Sequence, residues 1–409
     1  MPRVAVATMA DPIKRIELAD GTVRYRFVVD IGRDPVTGKR RQKTHTFDRK
    51  REAQAEYARI KHETAKGIYV APASTTVDAL LDDYLAQACR DVEAGTASNY
   101  RHALLPVRER LGERRAQSLR EEDVDALVDW MLTAGRKRGG KPGTGLSART
   151  VALTLGQLRA ALNLGVRRQL LVRNVAADTK IPREARRAAA EKRAQRKPWT
   201  EDETRAFLAA IGEDRLYAPV LLAAMGLRPA ETCGLPWDEV ELEDDQKVKP
   251  PKVPCLRVEI TRTIVDGEAV EKGPKSAAGK RTLPLPDVAT RALKAFRKVQ
   301  AEERLAAGEA YEGSGHVLVD EMGRPFGTDQ FRRRLYRLME QAGVRRVTPY
   351  DMRHSCLTYL AANGVPDVVV SAWAGHADLS LAKRVYVHPD VTHLAAGAEA
   401  LNVLLTPLA

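Results

Sequence analysis

The stretch AMGLRPAETCGLPW, residues 224–237, joins an apolar segment to a Leu-Pro-Trp sequence. Gly226 marks the end of an apolar helix over 220–225, because glycine is common just past a helix C-terminus. Arg228 follows, and Glu231 lies three residues further on, where its carboxylate can hold the guanidinium. An isolated Arg-x-x-Glu pair is also typical of surface helices. Here the apolar flanks predict that the arginine is buried, and a buried charge needs a partner or a task.

Three later segments add further arginine, lysine, histidine and tyrosine residues, the types needed to cut a phosphodiester bond. They are PKSAAGKRTLPL at 274–285, TPYDMRHS at 348–355 and WAGHADLSLAKRVYVH at 373–388. Cutting DNA by transesterification needs a nucleophile, cations around the non-bridging phosphate oxygens, and an acid for the leaving 5′-oxygen. Tyrosine, a pair of arginines, and lysine or histidine can supply all three without a metal. The C-terminal half of the chain therefore contains a complete set.

In their order and spacing, these four segments resemble the conserved boxes of tyrosine recombinases, the phage-type integrases. The resemblance makes Arg228 and Arg353 the phosphate-binding arginines, since two guanidiniums can clamp a phosphate through bidentate hydrogen bonds. It makes His376 a further phosphate ligand and Tyr386 the nucleophile, which forms a 3′-phosphotyrosyl bond and frees a 5′-hydroxyl. One ester replaces another, so the step can run backwards onto a different strand. Tyr359, inside an apolar helical pattern, is interpreted as a core residue.

Two positions in the boxes leave alternatives open. The resemblance makes Lys275, on the β-hairpin of the family, the proton donor to the leaving 5′-oxygen. Lys272 and Lys280 remain alternatives, because residues in a hairpin loop cannot be aligned with the family pattern to a single position. Tyr350 stands where the family pattern His-x-x-Arg has its histidine. A tyrosine can donate a hydrogen bond to a phosphate oxygen, but its ordinary pKa of about 10 makes it a poor proton acceptor at neutral pH. We therefore expect phosphate binding from Tyr350, and a structural role for His354.

The charge of the chain is concentrated at its N-terminus. Lys and Arg total 67 against 54 Asp and Glu, a net charge of +13 that favours a polyanionic partner, although solubility alone can also account for it. Residues 1–67 hold 16 basic and 9 acidic side chains, a net of +7. Alternation over 23–29 and a basic stretch over 39–47 predict a three-stranded sheet, followed by a helix over 49–66. A solvated hairpin is the alternative to an arm-type DNA-binding module, which the resemblance implies. Its candidate DNA contacts are Arg24, Arg26, Lys39, Arg40, Arg41 and Lys43.

The remaining chain is predicted to be mainly helical. Residues 75–182 show apolar stripes at helical spacing and predict a bundle of four or five helices. Residues 183–198 are basic without an apolar stripe and are interpreted as a linker, with a solvated helix as the alternative. The fold class is multidomain α+β. It combines a small β-sheet-plus-helix module (1–67), a helical-bundle core-binding domain, and a mixed, mainly helical catalytic domain (199–409) with a small antiparallel sheet. Capping patterns predict helix starts at Thr75 or Thr76, Ser147 and Thr200.

The resemblance also implies partners. Double-stranded DNA is expected at core and arm attachment sites, with the helical and catalytic domains gripping opposite faces of the core site. A homotetramer is expected on two duplexes, with a directionality factor and a host DNA-bending protein as accessory partners. The apolar segment 391–405 is expected either to dock in a neighbouring catalytic domain or to pack on its own.

No cofactor or metal is expected. No stretch is long and apolar enough to cross a bilayer, and the N-terminus makes a poor signal peptide, so a cytoplasmic protein acting on DNA is expected. Neither a disulfide framework nor a zinc site follows from the four cysteines, which lie far apart without a CxxC pair: Cys89, Cys233, Cys255 and Cys356.

Three other functions fit part of the pattern. A DNA-binding regulator on the same fold needs no catalysis, which the intact set of arginines, lysine, histidine and tyrosine argues against and Tyr350 weakly favours. A type IB topoisomerase relaxes DNA without choosing a site, and the N-terminal module would then have no role. A Xer-type chromosome dimer resolver usually lacks such a module. We therefore expect a site-specific recombinase that integrates or excises a mobile element.

Overall fold

The computed structural model describes residues 11–33, 40–65, 69–195, 197–245, 247, 252–375 and 391–406. The chain divides into two compact units, Met1–Arg193 and Ala194–Ala409. Within the described residues, the first unit contains two apolar cores and the second contains one. None of the helices in the described ranges has the length and apolar character needed to cross a membrane.

The first unit begins with a three-stranded antiparallel sheet and one helix. The strands β1 (Lys14–Glu17), β2 (Val23–Arg33) and β3 (Arg40–Phe47) pair in the order β1-β2-β3, and α1 (Lys50–Ala65) follows. Phe27 and Val29 are buried against Ala53 and Ile60 of α1. Because side chains alternate along a strand, Arg26 points to the opposite face and is exposed. We call this second face, which α1 does not cover, the open face.

A helical bundle follows in the same unit. All of residues 75–182 are described, and they form four α-helices: α2 (Val77–Ala88), α3 (Ala94–Leu111), α4 (Glu121–Thr133) and α5 (Ala148–Arg167). Two of the predicted caps form, since the hydroxyls of Thr76 and Ser147 accept hydrogen bonds from the backbone N–H groups of Ala79 and Thr150. A further helix, α6 (Arg183–Ala194), occupies the predicted linker, and its described side chains are exposed apart from the half-buried Ala185.

The core of the second unit contains the fully apolar helix α8 (Tyr217–Ala224). Its described helices are α7 (Glu201–Ala210), α8 (Tyr217–Ala224), α9 (Pro229–Gly234), α10 (Asp287–Ala307), α11 (Thr328–Gln341), α12 (Pro349–Ala362), α13 (Asp367–Ala374) and α14 (Val391–Leu405). Its strands are β4 (Val240–Glu241), β5 (Cys255–Val258), β6 (Thr261–Val265), β7 (Glu268–Lys272) and β8 (Arg281–Pro284).

The strands of this unit form two antiparallel groups. One is a sheet in the order β4-β5-β8, and the other is the hairpin β6–β7. Leu256 and Leu283 are paired across β5 and β8 and are fully buried in the same core as α8. Close packing of α9 on β6 requires a glycine, because a Cβ on Gly234 would lie 2.6 Å from the backbone nitrogen of Arg262.

The helix α14 packs on its own unit. Leu394, Leu401, Leu404 and Leu405 are buried in the core that contains α8, whereas Val403 is exposed. Burying one leucine side chain contributes about 1.5–3 kcal/mol, so four of them hold the helix firmly. Of the two arrangements expected for segment 391–405, the chain by itself adopts packing on its own domain.

Candidate active site

Glu231 is the centre of the candidate site. Arg228 caps the N-terminus of the short helix α9, with Pro229 in its first turn, which places the two charged residues one turn apart. Nη1 of Arg228 donates to Oε1 of Glu231 at 2.6 Å, and the backbone N–H of Arg228 donates to Oε2 at 2.8 Å. The Glu231 side chain is only 1% exposed, while that of Arg228 is 28% exposed. The predicted pair therefore exists, but Arg228 is half-buried rather than fully buried as expected, because its guanidinium lies at the edge of the core beside the buried Glu231 carboxylate.

A second arginine binds the same carboxylate from strand β8. Arg281 donates through Nη1 to Oε1 of Glu231 at 3.0 Å and through Nη2 to Oε2 at 2.9 Å. Burial by itself would raise the pKa of the Glu231 carboxyl. The hydrogen bonds and charge of Arg281, followed by those of Arg228, outweigh burial and hold the pKa below its usual range. Glu231 is therefore a buried carboxylate that keeps its charge.

The third arginine, Arg353, lies on α12 and is 3% exposed. Its Nη1 donates to the carbonyl of Gly226 and its Nη2 to the carbonyl of Ala374. Burial, and after it the positive charge of Arg228, lowers the pKa of the Arg353 guanidinium to about 10, so it still carries its charge at neutral pH. Three guanidiniums thus lie close to one carboxylate, and the excess positive charge would be relieved by an anion. We call Arg228, Arg281, Arg353 and Glu231 the arginine cluster.

The end of α13 fixes the arginine cluster in place. Three successive carbonyls there each accept a hydrogen bond from a different arginine: that of Trp373 from Nε of Arg281 at 2.8 Å, that of Ala374 from Arg353, and that of Gly375 from Nη2 of Arg228 at 3.1 Å. The last carbonyls of a helix lack partners within the helix and carry partial negative charge. Cationic side chains are therefore well suited to cap this terminus.

Gly375 ends α13 in the left-handed conformation, with φ of 61°. Its neighbours also exclude a side chain. A Cβ at this position would lie 2.9 Å from the carbonyl oxygen of Ala278 and 3.0 Å from Nη1 of Arg281. Both the backbone conformation and the space therefore require glycine where the chain passes the arginine cluster.

The other predicted catalytic-site residues that the structure describes are exposed. Lys275 is exposed in the loop between β7 and β8. The alternative Lys280 forms an ion pair with Glu259 at 2.7 Å, and this hydrogen bond raises its pKa. Tyr350 lies in the first turn of α12 and is 54% exposed. His354 is exposed on the same helix, so it does not help to form the core.

The described structure brings Arg228 and Arg353 close together, and their role in binding phosphate stays a prediction. His376 and Tyr386 lie outside the described residues, and their assignment stays a prediction. Among the described residues, no group of three or more His, Cys, Asp or Glu side chains could hold a metal ion.

Arg281 is a site residue that the sequence patterns did not predict, although it lies inside one of the four segments. A signal for it exists in the alternation of β8. Arg281 and Leu283 are two residues apart and share a face of the strand, and Leu283 is a core residue. An arginine on the buried face of a strand needs a buried acidic partner, which is Glu231.

The N-terminal sheet separates its candidate DNA contacts onto two faces. Arg26 and its cross-strand neighbours Lys14 and Thr46 lie on the open face. Arg24 lies on this face too, and forms an ion pair with Asp48 at 3.1 Å. Lys43 pairs across the strands with the buried Val29, so it lies on the face towards α1. Lys39 lies outside the described residues, and the structure describes only the backbone of Arg40 and Arg41.

Comparison with known proteins gives a consistent result along the chain. Residues 199–393 match the phage integrase family, and residues 12–64 match an arm DNA-binding domain. An integrase of Streptomyces ambofaciens is 27% identical over 368 residues, which is 89% of each chain. A XerC-like tyrosine recombinase of Caldanaerobacter subterraneus is 25% identical over 94% of this chain and 97% of its own. The lambda integrase tetramer bound to a Holliday junction has the same fold, with a TM-score of 0.54 and 16% identity over 92% of this chain and 99% of that chain.

Proposed function

Because the chain belongs to the phage integrase family of tyrosine recombinases, we propose that it cuts and rejoins DNA at specific sites through a 3′-phosphotyrosyl intermediate, and so integrates or excises a mobile element. The observation that carries this proposal is the arginine cluster. Its positive charges outnumber its single carboxylate, and its guanidiniums are fixed by the protein before any DNA arrives. Such preorganised donors suit a scissile phosphate whose negative charge grows during the reaction.

In the proposed reaction each group has one task. Arg228 and Arg353 bind the non-bridging oxygens of the phosphate, and His376 and Tyr350 donate further hydrogen bonds to it. Tyr386 attacks the phosphorus as a phenolate, which the neighbouring cations stabilise. Lys275 gives a proton to the 5′-oxygen as the bond to it breaks. The reverse attack by a 5′-hydroxyl of another strand releases the tyrosine and completes strand exchange.

The domain roles follow the predicted divisions. We propose that 1–67 bind arm sites, that 75–182 bind the core site, that 183–198 connect them along the phosphate backbone, and that 199–409 carry the chemistry. DNA is the partner of each. The tetramer seen for lambda integrase on a Holliday junction supports a homotetramer of this chain on two duplexes. A directionality factor and a host DNA-bending protein complete the proposed set of partners.

Metal independence is one test of this mechanism. We expect cleavage of attachment-site DNA, taken from the sequences that flank the encoding gene, to continue at an unchanged rate in EDTA. Side chains supply every charge that the proposed reaction requires, so removal of divalent cations takes nothing from it. Loss of cleavage in EDTA with recovery on adding magnesium would exclude the mechanism.

A charge substitution tests the arm-binding proposal. Arg26→Gln on the full chain should weaken binding to arm-site DNA, because Arg26 lies exposed on the open face. If Arg26 contacts a phosphate, the slope of log affinity against log salt should flatten by about 0.9. If it binds a guanine edge, discrimination at that base pair should fall by about 1–3 kcal/mol. Mobility shifts over a salt series and on mutated sites measure both quantities.

Lys43→Gln is the matched control, since it removes the same charge from the face towards α1. It should change arm binding much less than Arg26→Gln does, and equal effects would reject the open face as the contact surface. Deleting residues 1–67 should leave core-site binding and covalent chemistry intact, while recombination of sites that carry arm sequences fails. Normal recombination of full attachment sites by the deleted protein would show that the module does not bind arms. Loss of core-site binding would place the module in the main DNA clamp.

A further inference from the structure

Arg281 joins three separate segments at the candidate site. Besides its two hydrogen bonds to Glu231, it donates through Nη1 to the carbonyl of Gly279 at 3.0 Å and through Nε to that of Trp373 at 2.8 Å. These contacts occupy Nε, Nη1 and Nη2 alike, and the side chain is only 6% exposed. Arg281 is therefore buried and bound to other groups of the protein, whereas the side chain of Arg228 is partly exposed.

The Glu231 carboxylate is shared evenly between two arginines. Its Oε1 accepts from the guanidiniums of both Arg228 and Arg281, and its Oε2 accepts from Arg281 and from the backbone N–H of Arg228. With Arg281 present, one guanidinium offsets the carboxylate and the charge of Arg228 remains available. Without it, Glu231 and Arg228 would neutralise each other beside the position of the phosphate.

The same residue holds the loop that carries Lys275. Gly279, whose carbonyl accepts from Arg281, packs tightly on Pro274, because a Cβ there would lie 2.6 Å from Cβ of Pro274. Pro274 directly precedes Lys275 in the sequence. Arg281 thus contacts both Glu231, which binds Arg228, and the base of the loop that carries Lys275. An effect transmitted through Glu231 and one transmitted through the loop can be separated by experiment.

We propose that Arg281 is a positioning residue for DNA cleavage, which acts by neutralising Glu231 so that Arg228 meets the scissile phosphate with its full positive charge. This inference rests on the proposed recombinase function. It concerns the rate of the chemical step and leaves the affinity for DNA unchanged, since Arg281 itself is buried away from solvent.

The test uses single-turnover formation of the covalent adduct by the full chain on core-site DNA. Arg281→Met should slow adduct formation on the order of 10²-fold, the usual effect of losing one preorganised charge contact, while the Kd for DNA stays constant. The double variant Arg281→Met, Glu231→Gln removes the carboxylate charge together with its partner. It should recover most of the lost rate, because Arg228 is then no longer neutralised. A double variant as slow as the single one overturns the proposal, and it keeps the test decisive if Arg281→Met alone does not fold.

Two modified substrates distinguish an effect through Glu231 and Arg228 from an effect through the loop that carries Lys275. A methylphosphonate at the scissile position lacks one non-bridging charge, so wild-type protein and Arg281→Met should differ much less on it. A 5′-bridging sulfur leaves without needing a proton, so it should not rescue the variant. Rescue by the sulfur substrate alone would mean that Arg281 acts through Lys275, against the proposal. If the wild-type protein itself forms no adduct, the proposed function fails, which is a different result from any of these.

Discussion

Tyr386→Phe should bind core-site DNA as the native protein does and form no covalent adduct that survives SDS. Phenylalanine keeps the aromatic ring but has no oxygen with which to attack phosphorus, and no other group in the proposed reaction can replace it. A radiolabelled core site with a nick near the cleavage position traps the adduct, which a denaturing gel then detects. We expect loss of the adduct below detection, the largest effect of any single substitution.

Tyr359→Phe is the control for this experiment. Tyr359 lies on α12 and packs partly buried against the core of its unit, and burial raises the pKa of its hydroxyl. A phenol that ionises less readily is a poor nucleophile, so this variant should form adduct at the native rate. Adduct formation by Tyr386→Phe, together with its loss in Tyr359→Phe, would overturn the assignment.

Arg228→Lys should lower the single-turnover cleavage rate by about 10²–10³-fold, the usual cost of removing one preorganised donor. Lysine keeps the charge, but its single ammonium group cannot bind Glu231, the carbonyl of Gly375 and a phosphate oxygen in the geometry of a planar guanidinium. DNA binding should change far less, because many other phosphate contacts remain. Quench-flow measurement of adduct formation at saturating protein reports this rate.

Arg345→Lys is its matched control. Arg345 also pairs with a glutamate, Glu203, but on the exposed surface of the same unit, where an ion pair contributes only about 0–1 kcal/mol. The cleavage rate of this variant should be close to native. Equal losses in Arg228→Lys and Arg345→Lys would mean that the arginine cluster has no special part in the reaction.

Local patterns in the sequence predicted the local structure. The Arg228–Glu231 pair and the Thr200–Glu203 capping box both form, because three residues along a helix bring two side chains together wherever the helix lies. The sheet and helix of the N-terminal module follow from alternation and turns, which are also local features of the sequence. Which face each basic residue of the sheet occupies depends on strand register, and this separates Arg26 from Lys43.

The contacts between distant segments were not predictable from these patterns. Arg281 is 50 residues from Glu231 and 92 from Trp373, and no periodicity connects such positions. Resemblance to a family named Arg228 and Arg353 as phosphate ligands, but it did not indicate that the end of α13 holds both. The roles of His376 and Tyr386 remain predictions.

The carbonyls at the end of α13 also bear on when the protein becomes active. Arg228 and the carbonyl of Gly375 are separated by 147 residues, so their hydrogen bond can form only after the ribosome has synthesised most of the chain. Until then Arg228 has Glu231 alone, and Arg353 lacks the carbonyl of Ala374. A chain that ends before α13 can therefore contain the N-terminal sheet without an assembled arginine cluster. The arginine cluster therefore assembles only once α13 has been synthesised and has packed on its unit.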